Sequence, residues 1–396
     1  MNRGSTSRGP RLYLAQPRLY LAWTTPLPRP TSALPRGTSG LPRGDQGYLG
    51  GPGFCPRSRR TVGDVPTDPT APSPTDPTEP TTASPAHVAT SAADLPSAVP
   101  TLSSRLAWRP SQPPAGAEPA PRTGTVEDAV ELLRGLRVTA LTGAGVSTDS
   151  GIPDYRGPDS PPRNPMTYQQ FVQDEAFRRH YWARNHVGWQ HVHRTHPNAG
   201  HRALARLEDA GVLVGLITQN VDLLHEDAGS RNVIDLHGRY DRVICLQCGR
   251  VISREHLAER LTALNPGFLE SIGDVGDVEI APDADAVIEQ TSHFRPAPCE
   301  FCGGVLKPEI VYFGENVPRE RVDRAFAMVD EGDALLVAGS SLTVLSGLRF
   351  VRHAAKDGKP VVIVNRGWTR GDPLATLKVE AGTTETLTAL AEALAR

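Results

Sequence analysis

A glycine-rich turn directly after an apolar segment is the part of this 396-residue sequence best suited to chemistry. The short apolar run Val138–Leu141 leads into Thr142-Gly143-Ala144-Gly145-Val146-Ser147, as a buried parallel strand leads into a phosphate-binding turn. Glycine in such a turn lets backbone N–H groups approach a diphosphate, and the N-terminus of a following helix adds favourable partial charge. The pattern therefore predicts a dinucleotide site with a helix behind the turn.

The segment that follows departs from the usual dinucleotide fingerprint. No third glycine stands three residues after Gly145, and no acidic residue ends a clear second strand about 20 residues later. Instead the chain continues with a polar stretch that contains Pro153, Asp154 and Arg156. The whole segment, GAGVSTDSGIPDYRG, closely resembles the first NAD-binding motif of the sirtuins.

A second group of polar residues surrounds His237. A single histidine is more often structural than catalytic. Here Thr218-Gln219-Asn220-Val221-Asp222 lies upstream, His225 follows it, and Gly238 leaves space for a substrate beside the imidazole. The arrangement resembles the sirtuin pattern TQNVDxLH followed by LHG, in which the second histidine is the catalytic base. His225 is then interpreted as a packing residue.

Four of the five cysteines form two pairs, Cys245-x2-Cys248 and Cys299-x2-Cys302. This spacing favours a tetrahedral four-cysteine zinc site that leaves no coordination position open for catalysis. Two disulfides or a redox pair are the alternatives, but neither pair stands at a strand-to-helix entry. The 50 residues between the pairs exceed the usual spacing of a zinc ribbon, so we expect an insertion, with a helix over 253–264 and a solvated acidic loop over 274–285.

Composition divides the chain at about residue 122. Residues 1–122 hold 23 of the 37 prolines and carry 13 arginines, no lysine and seven acidic residues, whereas residues 123–396 have a net charge of −8. We expect the first segment, with the unpartnered Cys55, to be disordered. The acidic remainder disfavours a nucleic-acid partner, and no apolar run is long enough for a membrane span. A cytoplasmic location is the simplest expectation; the mitochondrial matrix is the alternative if the arginine-rich start is a transit peptide.

Apolar runs that alternate with helical patterns indicate the fold class. Strands expected at 138–141, 212–217, 334–338 and 361–364 each end at a polar motif. This predicts an α/β fold with a doubly wound, parallel, Rossmann-like sheet whose carboxyl edge carries the site. Five histidines between 186 and 201 are expected on the surface of a helix and its cap, rather than at a second metal. The predicted parts are a tail at 1–122, Rossmann-like segments at 123–160, 205–240 and 305–396, a helical cofactor-loop segment at 161–204 and a small zinc-binding domain at 241–304.

The sirtuin resemblance extends over nearly all of residues 125–385. It adds the segment 308–315, Gly339-Ser340-Ser341 and Val364-Asn365 in the family's order. The residues at 181–185 and 187–189, with the long zinc insertion, look like the class II branch, which contains a mitochondrial lipoamidase, deacylase and ADP-ribosyltransferase. The sequence has no Tyr-x-x-Arg pair after Arg156 of the kind that desuccinylating sirtuins use, which disfavours that activity.

Residue roles follow from the resemblance. It implies that Ser147 caps the helix behind the glycine turn, that Tyr155 stands where most members have phenylalanine, and that His237 and Asn220 are catalytic. The cofactor-binding set is implied to be Gly143, Ala144, Gly145, Ser147, Asp154, Tyr155, Arg156, Gln219, Asn220, Val221, Asp222, Gly339, Ser340, Ser341, Asn365, Arg366 and Gly367. Zinc is assigned to Cys245, Cys248, Cys299 and Cys302.

The resemblance implies an NAD-dependent deacylase that acts on acylated lysine in proteins, with NAD as co-substrate and one structural zinc ion. His237, as an imidazole that titrates near neutral pH, is suited to take a proton from a ribose hydroxyl. The alternatives are a mono-ADP-ribosyltransferase, a lipoamidase-type deacylase of long acyl chains, and a non-catalytic NAD sensor. The sensor reading is disfavoured because a sensor needs no base. The sequence does not fix the acyl group or the oligomeric state.

Overall fold

The computed structural model describes residues 122–157, 160, 165–273, 281–283, 285–288 and 291–396. The predicted disordered tail, with Cys55, lies outside these residues apart from Arg122, and so does most of the predicted acidic loop. Within the described ranges, no helix combines the length and the apolar character needed to cross a bilayer.

The described elements form a large parallel sheet with helices on both faces and a smaller antiparallel sheet with its own helices. In chain order they are β1 Thr123–Gly124, α1 Val126–Leu133, β2 Val138–Thr142, α2 Tyr168–Gln173, α3 Glu175–Val192, α4 Ala199–Asp209, β3 Leu213–Thr218, α5 Leu224–Asp227, β4 Val233–Asp235, β5 Gly238–Cys245, β6 Val251–Ser253, α6 Arg254–Leu264, α7 Phe268–Ile272, β7 Leu306–Ile310, α8 Arg319–Glu331, β8 Ala334–Ala338, α9 Leu345–Lys356, β9 Val361–Val364, β10 Leu377–Val379 and α10 Thr383–Leu394.

The large sheet has the strand order β1-β10-β9-β8-β2-β3-β4, and all its neighbours are parallel. From β4 to β10 this is the order of a doubly wound dinucleotide-binding fold, 3-2-1-4-5-6. In that fold, successive strands are added outward in opposite directions from a switch point between the first and fourth strands. Here those strands are β2 and β8. Every residue of β2, β8 and β9 is buried, as expected when helices cover both faces. The predicted α/β class is confirmed.

Two apolar clusters hold the helices on the sheet. On one face α1, α4 and α10 pack through residues such as Leu133, Leu204 and Leu390. On the other face α8 and α9 contribute residues such as Met328 and Val351. Burial of a large aliphatic side chain stabilises the fold by roughly 1.5–3 kcal/mol, so these two clusters hold the helices against the sheet.

Local signals explain several helix starts. Thr125 and Asp128 form a capping box at the start of α1, since each side chain accepts from the other's backbone N–H. Asn198 accepts from the N–H groups of Gly200 and His201 at the start of α4. Ser253 accepts from the N–H of His256 at the start of α6, within the helix predicted for the zinc insertion.

The small sheet has the order β6-β5-β7, with antiparallel pairing. Its core contains the buried guanidinium of Arg254, 5.6 Å from the ring centre of Trp182 and 5.1 Å from that of Trp189. Asn185 accepts from Arg254 at 3.0 Å. Amide acceptors and indole faces therefore stabilise this buried cation.

The surface location predicted for the histidine cluster was wrong for His186 and His201, which are 1% and 0% exposed. His201 lies three residues before Leu204 on α4, a spacing that turns both toward the core. Burial, followed by a nearby arginine in each case, lowers the pKa of both imidazoles to about 4. Among the described residues, neither belongs to a cluster able to hold a metal.

Candidate functional site

A cleft of about 1190 Å³ opens at the carboxyl edge of the large sheet. Its lining includes the turns after β2, β3, β8 and β9, together with His237 at the start of the small sheet. Ligands of doubly wound folds bind where the strand order reverses, which here is between β2 and β8. The fold therefore brings all the predicted dinucleotide-binding segments to one place.

The turns after β2 and β8 pack backbone against backbone. Gly145 donates its N–H to the carbonyl of Gly339 at 2.9 Å, and Gly143 donates to Ala338 at 3.1 Å. A Cβ at Gly143 would lie 2.8 Å from the carbonyl oxygen of Gly339. Gly339 itself has φ +62° and has Val146 N only 2.5 Å from where its Cβ would be. This side-chain-free cradle fits a diphosphate, which needs close backbone approach.

The structure corrects the prediction for Ser147 and the helix behind the turn. Two short 3-10 turns, Ala144–Val146 and Thr148–Ser150, follow the first glycine, and the side chain of Ser147 makes no capping bond. Its buried hydroxyl instead donates to Asp222 at 2.7 Å and accepts from the Asn220 amide at 3.0 Å. Gly151, with φ +87° shortly before Pro153, ends the helical conformation before an α-helix forms.

α10 is an α-helix whose N-terminus faces the cleft, and its start was not predicted from the sequence. Gly382 and Thr383 line the cleft, and the Thr383 hydroxyl donates to the carbonyl of Gly145 at 3.0 Å. Glu385 accepts from the N–H of Gly382 at 2.9 Å. A glutamate three residues after a glycine that precedes two threonines was the available signal for this start.

The TQNVD segment links the strand ends. Gln219 donates from its amide to Ser340 at 2.8 Å and to the carbonyl of Thr142 at 3.2 Å. Asp222 is 9% exposed and accepts from Ser147 and from the N–H of Leu224. Burial raises the pKa of Asp222, and these hydrogen bonds oppose that shift. Val221 borders the cleft and accepts at its carbonyl from the N–H of Tyr240.

Two buried imidazoles support this segment from below. The rings of His201 and His225 lie 4.8 Å apart, and His225 Nε2 is 2.9 Å from the Thr142 hydroxyl. His201 Nε2 is 3.4 Å from the Ser147 hydroxyl. Burial lowers the pKa of His225 well below its usual range, so both rings are neutral at pH 7. His225 packs as expected from the sequence.

His237 lies between the large sheet and the small one, at the margin of the cleft. Its Nδ1 is 3.0 Å from the carbonyl oxygen of Gln219, and its Nε2 is 2.7 Å from the hydroxyl of Ser346. Burial, with smaller contributions from Arg321 and Arg349, lowers the pKa of His237 to about 4, although the hydrogen bond to the Gln219 carbonyl opposes the shift. At pH 7 the ring is therefore a neutral base. No sequence motif points to Ser346.

The loop after the glycine turn contributes three residues to the cleft lining. The Asp154 carboxylate accepts from the N–H groups of Gly157 at 2.6 Å and Arg156 at 3.2 Å, and so stabilises its own loop. The Tyr155 ring meets Phe313 edge to face at 6.0 Å, and Arg156 stands 6.0 Å from the Tyr155 ring centre. Burial lowers the pKa of Arg156.

The other end of the cleft is formed by the turns after β8 and β9. Ser341 accepts from the Thr343 hydroxyl at 3.2 Å. Asn365 donates its amide to the carbonyl of Arg366 at 2.7 Å, and Arg366 pairs with Glu385 at 3.2 Å. Gly367, with φ +80°, donates its N–H to the Glu380 carboxylate. All the sequence-predicted cofactor residues, including Gly143 and Ala144, thus line the cleft.

The chain passes twice between the two sheets, and the passages touch. Val311 donates its N–H to the carbonyl of His237 at 2.7 Å. A Cβ at Gly238, which has φ +87°, would collide with the carbonyl of Glu309. The buried Lys307 of β7 pairs at 3.1 Å with the half-buried Glu315, which also accepts from the N–H of Tyr312 at 2.9 Å. This ion pair holds the turn that follows Val311 and lines the cleft.

The four paired cysteines meet at the tip of the small sheet. Their sulfur atoms all lie within 4.8 Å of one another, with 3.5 Å between Cys245 and Cys302 and 3.8 Å between Cys248 and Cys299. A tetrahedral Zn²⁺ with Zn–S bonds of about 2.3 Å requires sulfurs about 3.8 Å apart. Four thiolates at this spacing fit a zinc ion and leave it no open position.

Comparisons with known proteins agree with this geometry. The Sir2 family model matches residues 143–346. The chain belongs to the Sir2 family, the sirtuins. It is 65% identical over 265 residues to NAD-dependent protein deacetylase 1 of Mycobacterium avium (strain 104), which covers 67% of this chain and 94% of that protein. It is 49% identical to NAD-dependent protein deacetylase 1 of Streptomyces coelicolor, over 74% of this chain and 95% of that protein.

Solved sirtuin structures have the same fold. A Sir2 homologue in complex with NAD has 30% identity and a TM-score of 0.53, covering 69% of this chain and 94% of that chain. A Sir2 complex with a p53 peptide and NAD has 29% identity and a TM-score of 0.53, covering 68% of this chain and 98% of that one. The sirtuin resemblance found in the sequence is thereby confirmed.

Proposed function

We propose that this sirtuin is an NAD-dependent protein-lysine deacylase. It would convert an acyl-lysine and NAD into lysine, nicotinamide and an O-acyl-ADP-ribose. The observation that carries the proposal is a neutral imidazole, His237, at the same cleft as the glycine cradle of Gly143, Gly145 and Gly339. Family membership and the names of the relatives support this class of activity.

NAD, when bound, would supply a ribose carbon from which nicotinamide can leave and to which the oxygen of the acyl group can bond. The glycine cradle would hold its diphosphate, because it lets the ligand approach the backbone closely, and the N-terminus of α10 adds favourable partial charge. Asn220 and Asp222, which the buried Ser147 hydroxyl joins, would bound the nicotinamide end.

His237 performs the proton transfer in this scheme. Its Nδ1–H donates to the Gln219 carbonyl, so Nε2 is the nitrogen that can accept a proton from a ribose hydroxyl. The deprotonated oxygen then attacks the former acyl carbon, and water completes the release of lysine. The cysteine-bound zinc takes no part, because its four thiolates close the coordination sphere.

The class II branch and its acyl preference belong to the proposal as well. The residues that suggest the branch, including Tyr181, Trp182 and Asn185, are buried in the core of the small sheet rather than in the cleft lining. They support kinship without setting acyl specificity. We propose that plain acetyl-lysine is a weak substrate compared with lipoyl, branched or long acyl chains.

The test uses the full chain with NAD and peptides that carry acetyl, lipoyl, branched and long acyl groups on lysine. Release of nicotinamide and formation of O-acyl-ADP-ribose are measured separately. His237→Ala should reduce deacylation by about 10²–10⁴-fold, the range of general base catalysis, and leave part of the nicotinamide release. The exposed His196→Ala variant is the control.

Three results of this assay would contradict the proposal. If no peptide yields either product, the deacylase proposal is wrong. If nicotinamide is released while ADP-ribose becomes attached to protein, the chain is a mono-ADP-ribosyltransferase. Equal loss of both products in His237→Ala would contradict the role of His237 as the base of the second stage.

A further inference from the structure

The hydroxyl of Ser346 is hydrogen-bonded to Nε2, the nitrogen of His237 that accepts a proton in the proposed reaction. Its hydroxyl oxygen lies 2.7 Å from Nε2. Ser346 is 8% exposed, yet it contributes to the lining of the cleft beside His237. The hydroxyl therefore contacts both the base and the space in which a substrate would bind.

The hydrogen-bond partners define the direction of each bond. A carbonyl oxygen only accepts, so Nδ1 of His237 carries the proton that it donates to Gln219. The neutral ring then has its lone pair on Nε2, and the Ser346 hydroxyl is the donor to it. A proton that arrives at Nε2 must either displace this hydroxyl or pass through it.

The position of Ser346 is fixed by the start of α9. The helix packs on the sheet through Leu348 and Val351. At the neighbouring Gly347, a Cβ would lie 2.7 Å from the Gln219 side-chain oxygen, so the first turn of α9 rests directly against Gln219. The same residue, Gln219, orients Nδ1 of His237. The contact between Gln219 and the first turn of α9 thus positions both hydrogen-bond partners of the imidazole, the Gln219 carbonyl and the Ser346 hydroxyl.

We propose that Ser346 is a further catalytic residue, a proton relay between the ribose hydroxyl and His237. The ribose O–H bond breaks as that proton bonds to Ser346 Oγ, and the original Ser346 proton moves to Nε2. Serine is unchanged, the imidazole becomes an imidazolium, and the ribose oxygen becomes the nucleophile. The inference rests on the proposed deacylase function.

Ser346→Thr and Ser346→Val provide the decisive comparison, because the two side chains have nearly the same shape and differ in the hydroxyl. The ratio of O-acyl-ADP-ribose formation to nicotinamide exchange is measured for the full chain with a peptide that the unaltered enzyme accepts. The threonine variant should keep the ratio, and the valine variant should lower it at least tenfold, the effect of one lost hydrogen bond in the transition state.

One measurement besides that ratio separates a relay from a structural role. The rate of O-acyl-ADP-ribose formation in mixtures of H₂O and D₂O should curve for the unaltered enzyme, because two protons move together, and become linear for Ser346→Ala. Ser230→Ala, the loss of another buried serine hydroxyl outside the cleft, should change neither measurement.

The outcomes are distinct. An unaltered enzyme without any nicotinamide release refutes the proposed function itself. An active enzyme in which valine and threonine behave alike, or in which the isotope dependence is linear, refutes the relay alone. Equal decreases in exchange and deacylation would also refute it, since they indicate damage to the NAD site.

Discussion

Replacing His201 by glutamine should reduce the acid sensitivity of this sirtuin by about 2 kcal/mol between pH 7 and pH 5. His201 is fully buried beneath the cleft, and burial, followed by the nearby Arg202, lowers its pKa from 6.5 to about 4. The folded protein therefore resists protonation of this ring, whereas the unfolded chain accepts the proton readily.

The sign and the size follow from proton linkage. Because the folded pKa lies below the unfolded value, the stabilisation is complete above pH 6.5 and is lost as the pH falls toward the folded pKa of about 4. Between pH 7 and pH 5 the unfolded chain takes up nearly one proton at this site that the folded protein does not. At about 1.4 kcal/mol per pH unit, over about 1.5 units, the loss is about 2 kcal/mol.

Urea unfolding of the full chain at pH 7 and pH 5 measures this difference. Glutamine keeps an N–H group in reach of the Ser147 hydroxyl but does not titrate. The free energy of unfolding should therefore decrease by about 2 kcal/mol less in His201→Gln than in the unaltered protein. Other titrating groups, including the cysteine ligands, cancel in the comparison.

The exposed His196→Gln variant is the matched control and should follow the unaltered protein. If His201→Gln loses as much stability between pH 7 and pH 5 as the unaltered protein does, then His201 takes up its proton equally in both states. The description of a buried, neutral imidazole beneath the cleft would then be wrong.

Three other outcomes are expected. Gly339→Ala should weaken NAD binding, measured by calorimetry, and should lower the free energy of unfolding more than Gly358→Ala does. Both glycines have φ above +60°, so alanine at either position carries a backbone strain of about 1–2 kcal/mol. Of these two positions, only Gly339 has a backbone atom within 2.5 Å of where the added Cβ would lie. Cys299→Ser should lose the zinc measured by atomic absorption and lower the melting temperature, whereas retention of a full equivalent of zinc would contradict a four-thiolate site. The rate of deacylation should be nearly constant from pH 6 to pH 8 and fall as the pH approaches about 4, because protonated His237 cannot accept a further proton. Arg349→Gln should move that fall to higher pH. An unchanged pH profile would exclude Arg349 as a cause of the lowered pKa of His237.

The sequence was sufficient to predict the four central strands of the large sheet and the edge at which the predicted site residues meet. Strands such as β2 and β8 are apolar throughout because both of their faces are covered, so they stand out from the surrounding pattern. The parallel arrangement then requires their carboxyl ends to meet at one edge. The cysteine pairs were equally informative, because few arrangements other than a metal site use two Cys-x2-Cys pairs.

The contacts inside the site were not predictable in the same way. Ser147 has the spacing of a helix cap, but Gly151 and Pro153 prevent the helix, and the hydroxyl turns to Asp222 instead. Ser346 reaches His237 from 109 positions along the chain, which no local pattern encodes. The burial of His186 and His201 could not be predicted either, because only the packed structure shows which side chains face the core.

The two contacting passages between the sheets have a consequence for any preparation treated with a chelator. The polypeptide enters the zinc-bearing part through Leu236-His237-Gly238 and returns through Ile310-Val311, and the return strand is hydrogen-bonded to the imidazole's own residue. Loosening the distant metal site would therefore misalign the base. A test compound that only chelates zinc would then score as an inhibitor in a screen, although the ion never meets the reactants.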